Sequence, residues 1–188
     1  LADVLADDPD RDLLPAAVEG DLDAFEALVL RYQSRMVSFA RTLLGNPEEA
    51  EDLAQEVFVR VFKSLRGFRG QSSFRTWLYT VAVNVSRTHH DRRTRQQPVW
   101  GDSGADDVRA FDPPDEADFE SAMIARDAIN RALDELPEEL RVAVTLRDIH
   151  GLEYRDIADT TGVPIGTVES RIFRGRQKLR LALAQMRA

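Results

Sequence analysis

Residues 152–180, LEYRDIADTTGVPIGTVESRIFRGRQKLR, constrain this chain more than any other stretch. They fit a short helix, a glycine turn and a longer helix loaded with arginine. The spacing predicts a first helix from Glu153 to Thr161 that buries Ile157 and Ala158. Gly162 supplies the positive φ that a sharp reversal needs, and Val163 plugs the corner. Pro164 suits a first helical turn, where its missing N–H costs nothing. Beyond it Ile165, Val168, Ile172, Gly175, Leu179 and Leu183 recur at helical spacing as one apolar stripe. Thr167, Arg171, Arg174 and Lys178 line a second stripe, roughly a third of a turn away. A helix with one buried face and a cationic face beside it suits insertion into the DNA major groove.

The rest of the chain also reads as helix. Phe25, Leu28, Val29, Tyr32, Met36, Phe39, Ala40 and Leu43 give an apolar face over 22–44, ended by Gly45. Asn46 then caps a helix with Pro47 at its first position and Glu49 closing a capping box. That helix should bury Ala50, Leu53, Ala54, Val57, Phe58, Val61, Phe62 and Leu65. Its opposite face presents Asp52, Gln55, Glu56, Val59 and Lys63. After the loop at 66–72, Ser72 or Ser73 can cap a third helix to about Arg93. There Phe74, Trp77, Leu78, Val81, Ala82 and Val85 face inward, while Thr80, Asn84, Arg87 and Asp91 share an outward strip. The stretch 96–118 holds Pro98, Pro113, Pro114 and many acids without a period, so it reads as a linker. A helix over 119–136 and another from Pro137 to Ile149 precede the helix-turn-helix. Nothing alternates as a strand does. The expected fold is all-α: two small helical bundles joined by a flexible acidic linker.

The net charge of −8 argues against nucleic-acid binding until it is divided along the chain. Residues 1–59 carry −10, 60–95 carry +8, 96–140 carry −10 and 141–188 carry +4. Two cationic blocks around an acidic spacer point to two contacts with a polyanion. The absence of cysteine excludes disulfides and thiolate zinc sites, and no apolar run approaches the roughly 20 residues of a membrane span. With no secretory signal visible, cytoplasmic residence is expected, although Leu1 in place of Met leaves the natural start open. His89 and His90 are adjacent, so a helix points them apart and no metal site is expected there; His150, beside Gly151, marks a helix end.

Five segments together resemble the extracytoplasmic-function group of bacterial sigma factors. They are GDLDAFEALVLRY (20–32), NPEEAEDLAQEVFVRVFKSL (46–65), SSFRTWLYTVAVN (72–84), LDELPEELRVAVTLRDIHGLEYRDIA (133–158) and GVPIGTVESRIFRGRQKL (162–179). Residues 1–12 are Asp-rich and read as a frayed, disordered N-terminus; beyond them the resemblance implies a sigma-2 domain (13–95) of three or four helices, a linker (96–118) and a sigma-4 domain (119–188). It implies a factor that directs core RNA polymerase to promoters and helps open the DNA, with no enzyme activity, catalytic residue, metal or cofactor of its own. Its expected partners are the clamp helices and flap of the polymerase, promoter DNA and an anti-sigma protein, without membrane insertion.

The resemblance also assigns surfaces. Asp52, Gln55, Glu56 and Val59 match the face that the family presses against the polymerase clamp. Arg66, Phe68, Arg69, Thr80, Asn84 and Arg87 fall where the family holds the −10 element. Phe68, on a glycine-flanked loop, is the stacking candidate, whereas Phe74 and Trp77 read as core. Many members carry Asp four places after the asparagine at Asn84; here Thr88 stands there, followed by His89 and His90, so the −10 preference does not transfer. For the −35 element, Arg171 and Arg174 can pair with guanine, Thr167, Ser170 and Lys178 can meet phosphates or bases, and Arg155 suits the backbone. The acids Asp106, Asp107, Asp112 and Asp115 suit a linker that runs near the RNA exit path.

A stand-alone helix-turn-helix regulator would account for 152–180 but leaves the basic loop and the acidic helix face without roles. An enzyme lacks support: no GxxxxGK, HExxH or GxSxG motif occurs.

Overall fold

The computed structural model describes residues 8–96 and 127–186. The linker expected at 96–118, with its four named aspartates, therefore lies outside the described residues after Gln96, as do 119–126 and the side chains of His90 and Asp91.

Among the described residues every regular element is a helix. The first module holds α1 (Leu14–Glu19), α2 (Leu22–Leu44), α3 (Pro47–Ser64), a 3₁₀ turn (Leu65–Gly67) and α4 (Phe74–Gln96). Local chemistry sets these boundaries. The Asp21 side chain accepts from the amides of Asp23 and Ala24, and Asn46 does the same for Glu48 and Glu49. Ser73 Oγ accepts from the Thr76 amide at 3.1 Å, so Ser73 is the expected cap of α4.

A second cap on α4 comes from far away in sequence. Asp8 Oδ2 accepts the Phe74 amide at 2.8 Å, and Asp10 accepts from Tyr32 Oη at 2.5 Å and Arg31 Nη1 at 2.7 Å. Asp8 and Asp10 are buried. The expectation of a frayed tract over 1–12 is thus corrected for Asp8–Asp12: the carboxylates of Asp8 and Asp10 meet buried donors that would otherwise lack partners, and Asp12 pairs with Arg31 at the surface. Residues 1–7 lie outside the described residues.

The second module begins with α5 (described at 127–134), followed by α6 (Glu138–Val144), a π-turn (Thr145–Ile149), α7 (Tyr154–Thr161) and α8 (Ile165–Gln185). Glu153 caps α7 in a reciprocal capping box with Asp156. Gly162 has φ +72° and its amide bonds Ala158 O, the left-handed reversal that the sequence requires. Val168, Ile172 and Gly175 are buried as expected, but Ile165, in the first turn of α8, is 45% exposed.

The two bundles pack against each other. Leu28, Phe39, Leu53 and Leu78 of the first share one apolar cluster with Leu146, Leu152, Ile157 and Ile172 of the second. A smaller cluster of Leu133, Leu136, Leu140 and Val144 sits under Leu179. Helix α4 is buried on two sides, since Tyr79 and Val83 join the predicted inward set. Phe62, expected in the core, is 49% exposed and leans on Phe25 with ring centroids 5.1 Å apart.

Candidate nucleic-acid interface

Helix α8 owes its orientation to its buried stripe. Gly175 lies so close to α6 that an added Cβ would run into Val144 Cγ2. This close crossing turns the other flank of α8 outward, where Arg174 and Lys178 are exposed and Thr167, Ser170 and Arg171 half-buried. Arg155 is exposed on α7. Arg174 is braced within its own helix: its Nε and Nη2 donate to Ser170 Oγ at 3.2 and 2.7 Å. Arg171 Nη2 pairs with Glu139 Oε2 at 2.9 Å. A surface pair of this kind is worth about 0–1 kcal/mol, less than a good bidentate base contact at about 1–3 kcal/mol. The ion pair can therefore yield to DNA. Arg176 forms a bidentate pair with Asp148, which fixes α8 to the end of the π-turn.

The strip on α4 is only partly open. Asn84 is exposed, but Thr80 and Arg87 meet the second module. Thr80 Oγ1 donates to Thr76 O at 2.9 Å and lies 3.3 Å from Thr160 Oγ1. Arg87 Nη2 donates to Thr161 O at 3.3 Å. Arg87 and Arg171, expected to read different elements, line one cleft with Glu138 and Glu139. Arg66, within the 3₁₀ turn, and Arg69, just after it, are exposed.

Phe68 corrects an expectation. It is 7% exposed, its ring 5.2 Å from that of Trp77 and 6.3 Å from that of Phe74, so it is a core residue here and not an open platform for a base. Flanking glycines suggested freedom, yet a large aromatic ring gains more from burial than from a wet loop.

On α3, Asp52 and Gln55 are exposed and Val59 is 50% exposed; Glu56 is half-buried and paired with Arg60 at 2.8 Å. Phe62 extends this surface and was missed, because its position fits the apolar period of α3. Among the described residues no cluster of His, Asp and Glu could hold a metal ion, and no helix is long and apolar enough to cross a membrane.

Comparison with known proteins follows this division. The family models Sigma-70 region 2 and Sigma-70, region 4 match residues 28–96 and 126–179. The RNA polymerase sigma-H factor of Pseudomonas aeruginosa is 39% identical over 188 residues, covering 96% of both chains. The chain belongs to the sigma-70 family, in its extracytoplasmic-function group. The sigma-E factor of Escherichia coli K12 is 35% identical, covering 90% of this chain and 92% of its own. Among solved structures, CnrH in complex with the cytosolic domain of CnrY superposes with TM-score 0.67 at 27% identity, covering 95% of this chain and 99% of its own. The sigma factor RpoE of Bartonella quintana, bound to the anti-sigma factor NepR, does so with TM-score 0.71 at 26% identity, covering 85% and 96%. This sigma factor directs RNA polymerase to promoters, with its first module as region 2 and its second as region 4.

Proposed function

We propose that the two modules divide promoter reading between named side chains, and that the arrangement described above is the resting one. Arg155, Thr167, Ser170, Arg171, Arg174 and Lys178 take the −35 element; Arg66, Arg69, Thr80, Asn84 and Arg87 take the −10 element. Asp52, Gln55, Glu56 and Val59, with Phe62 added, dock on the polymerase. Phe68 has no part in this assignment. The observation that carries the reading is a set of exposed cations on each module: Arg66, Arg69 and Arg87 on the first, and Arg155, Arg174 and Lys178 on the second, where α8 is anchored in the core by its other side.

Distance supports a resting state. The −35 and −10 elements lie roughly 25 base pairs apart, about 85 Å at ~3.4 Å per pair. Arg171 follows Thr160 by 11 residues, which cannot reach beyond about 40 Å even fully extended. With Thr160 against Thr80, one chain in this form cannot occupy both elements. Promoter engagement requires the modules to part. A protein inhibitor that masks these faces fits the same logic, as the NepR-bound relative suggests, and the site of action is the cytoplasm, where promoter DNA lies.

Run-off transcription with purified core polymerase and a promoter library tests the reading. Promoter-specific transcripts should appear only when chain and core are combined. Tight retention of duplex operator by the chain alone would favour a stand-alone regulator instead.

A further inference from the structure

A cleft of about 370 Å³ opens where α2, α4 and the end of the π-turn meet, lined by Ser34, Arg35, Ser38, Arg75, Ile149 and His150. None of the residues assigned above to promoter or polymerase lines it. Its chemistry is one-sided: two guanidinium groups, two hydroxyls and an imidazole, with no carboxylate. In a chain with 33 acidic side chains that is a selective absence. Among the described residues neither Arg35 nor Arg75 forms an ion pair. Arg75 Nε and His150 Nε2 are both buried without a protein partner.

His150 is 9% exposed, wedged edge-on against Phe39 at 5.3 Å and beside Tyr79 at 5.1 Å. Arg75 reaches the same corner from α4, its Nη2 at van der Waals distance, 3.5 Å, from where a Cβ on Gly151 would sit. Leaving a buried donor or acceptor unsatisfied costs about 1–3 kcal/mol. One tetrahedral anion offers what the whole set lacks: several oxygens that accept from a guanidinium fork and from serine hydroxyls together.

We propose that this cleft is an oxyanion site for phosphate, free or as the terminal group of a small phosphate ester, and that the bound anion ties His150 to α2 and α4. Arg75 supplies the fork, Arg35 the second charge, Ser34 and Ser38 the hydroxyl donors. His150 adds an N–H and closes the site from the second module. The surroundings agree: burial, followed by the fields of Arg75 and Arg35, lowers the His150 pKa to about 4, so both guanidinium charges converge on the imidazole. An anion between them offsets that field. Because the lining comes from both modules, the bound anion favours the packed arrangement.

The test is NMR of the full chain, labelled to report the Arg75 side-chain Nε–H and the His150 imidazole. It is titrated with inorganic phosphate, then with glycerol 3-phosphate, at constant ionic strength set with chloride. Saturable shifts at both groups are expected, with at least a tenfold weaker response in Arg75→Gln. Should that variant lose its circular-dichroism signal, Arg35→Gln serves in its place. Tighter binding of the ester than of phosphate identifies an esterified ligand; equal binding identifies free phosphate. The assignment is overturned by shifts that chloride reproduces, by shifts that persist in the folded variant, or by a response to single-stranded oligonucleotide but to neither small anion.

Discussion

Thr80 and Thr160 stand 80 residues apart in sequence, yet their hydroxyl oxygens lie 3.3 Å apart, joining α4 of region 2 to α7 of region 4. Thr160 is 2% exposed, so this contact lies inside the seam between the modules. A lysine at Thr160 would place an ammonium there without a carboxylate partner, which a buried site does not tolerate. Thr160→Lys is expected to part the modules while each keeps its helices. Small-angle scattering should report a larger radius of gyration with unchanged far-ultraviolet dichroism. An unchanged radius in the folded variant would mean that the seam is not held this way.

For Arg174 the brace from Ser170 matters as much as the charge. The 2.7 Å bond ties the guanidinium to its own helix and limits its rotamers before DNA arrives. Arg174→Ala should cost ~1–3 kcal/mol of promoter affinity and relax preference at one position of the −35 element. Ser170→Ala should cost less and leave that preference intact. Binding of reconstituted holoenzyme to a base-substitution series distinguishes the two. Uniform loss at every position in Arg174→Ala would indicate phosphate contact in place of base reading.

Gly175 sets two effects in opposition. Alanine is favoured over glycine inside a helix by about 0.8–1.0 kcal/mol. Overpacking a tight contact costs about 1–3 kcal/mol, and here the new methyl would meet Val144 Cγ2, with Leu140 O at 3.4 Å. The clash should win. Gly175→Ala is expected to lower the melting temperature, and adding Val144→Ala should return part of the loss, which thermal denaturation of the single and double variants measures.

Much of this was legible in the sequence because local rules and the hydrophobic period agreed. Asn46, Ser73 and Gly162 occupy the caps their chemistry predicts, and the face Leu28, Met36 and Phe39 is buried. What escaped was long-range. Asp8 looks like one more acid in a polar tail; only the fold brings the Phe74 amide to it. Tyr79 and Val83 did leave a trace. With Leu78, Ala82 and Val85 they make α4 apolar on more than one side, as a helix covered twice must be. Phe62 and Phe68 went wrong in opposite directions for one reason: period and flanking glycines report local geometry, not which face a neighbour covers. The placement of His150 at a helix end held, but no sequence rule shows that this end is pressed against Phe39 and Tyr79.

That imidazole gives the packed form a pH dependence of definite sign. Its pKa is lowered from 6.5 to about 4 in the folded chain, by burial first and then by Arg75 and Arg35. Above about pH 6.5 the imidazole is neutral whether the chain is folded or not, and its contribution is fully present. As the pH falls below that value the unfolded chain takes up a proton that the folded chain refuses, so stability drops. The loss levels off below about pH 4, where both states are protonated. At ~1.4 kcal/mol for each pH unit between the two values, the full effect is about 3 kcal/mol. His150→Phe keeps an aromatic ring against Phe39 and removes the titration. Urea denaturation in a buffer free of phosphate, at pH 7.5 and pH 4.5, should show the wild type losing more stability than the variant. Equal losses would mean that His150 accepts its proton without cost and that the seam is open to water at that point.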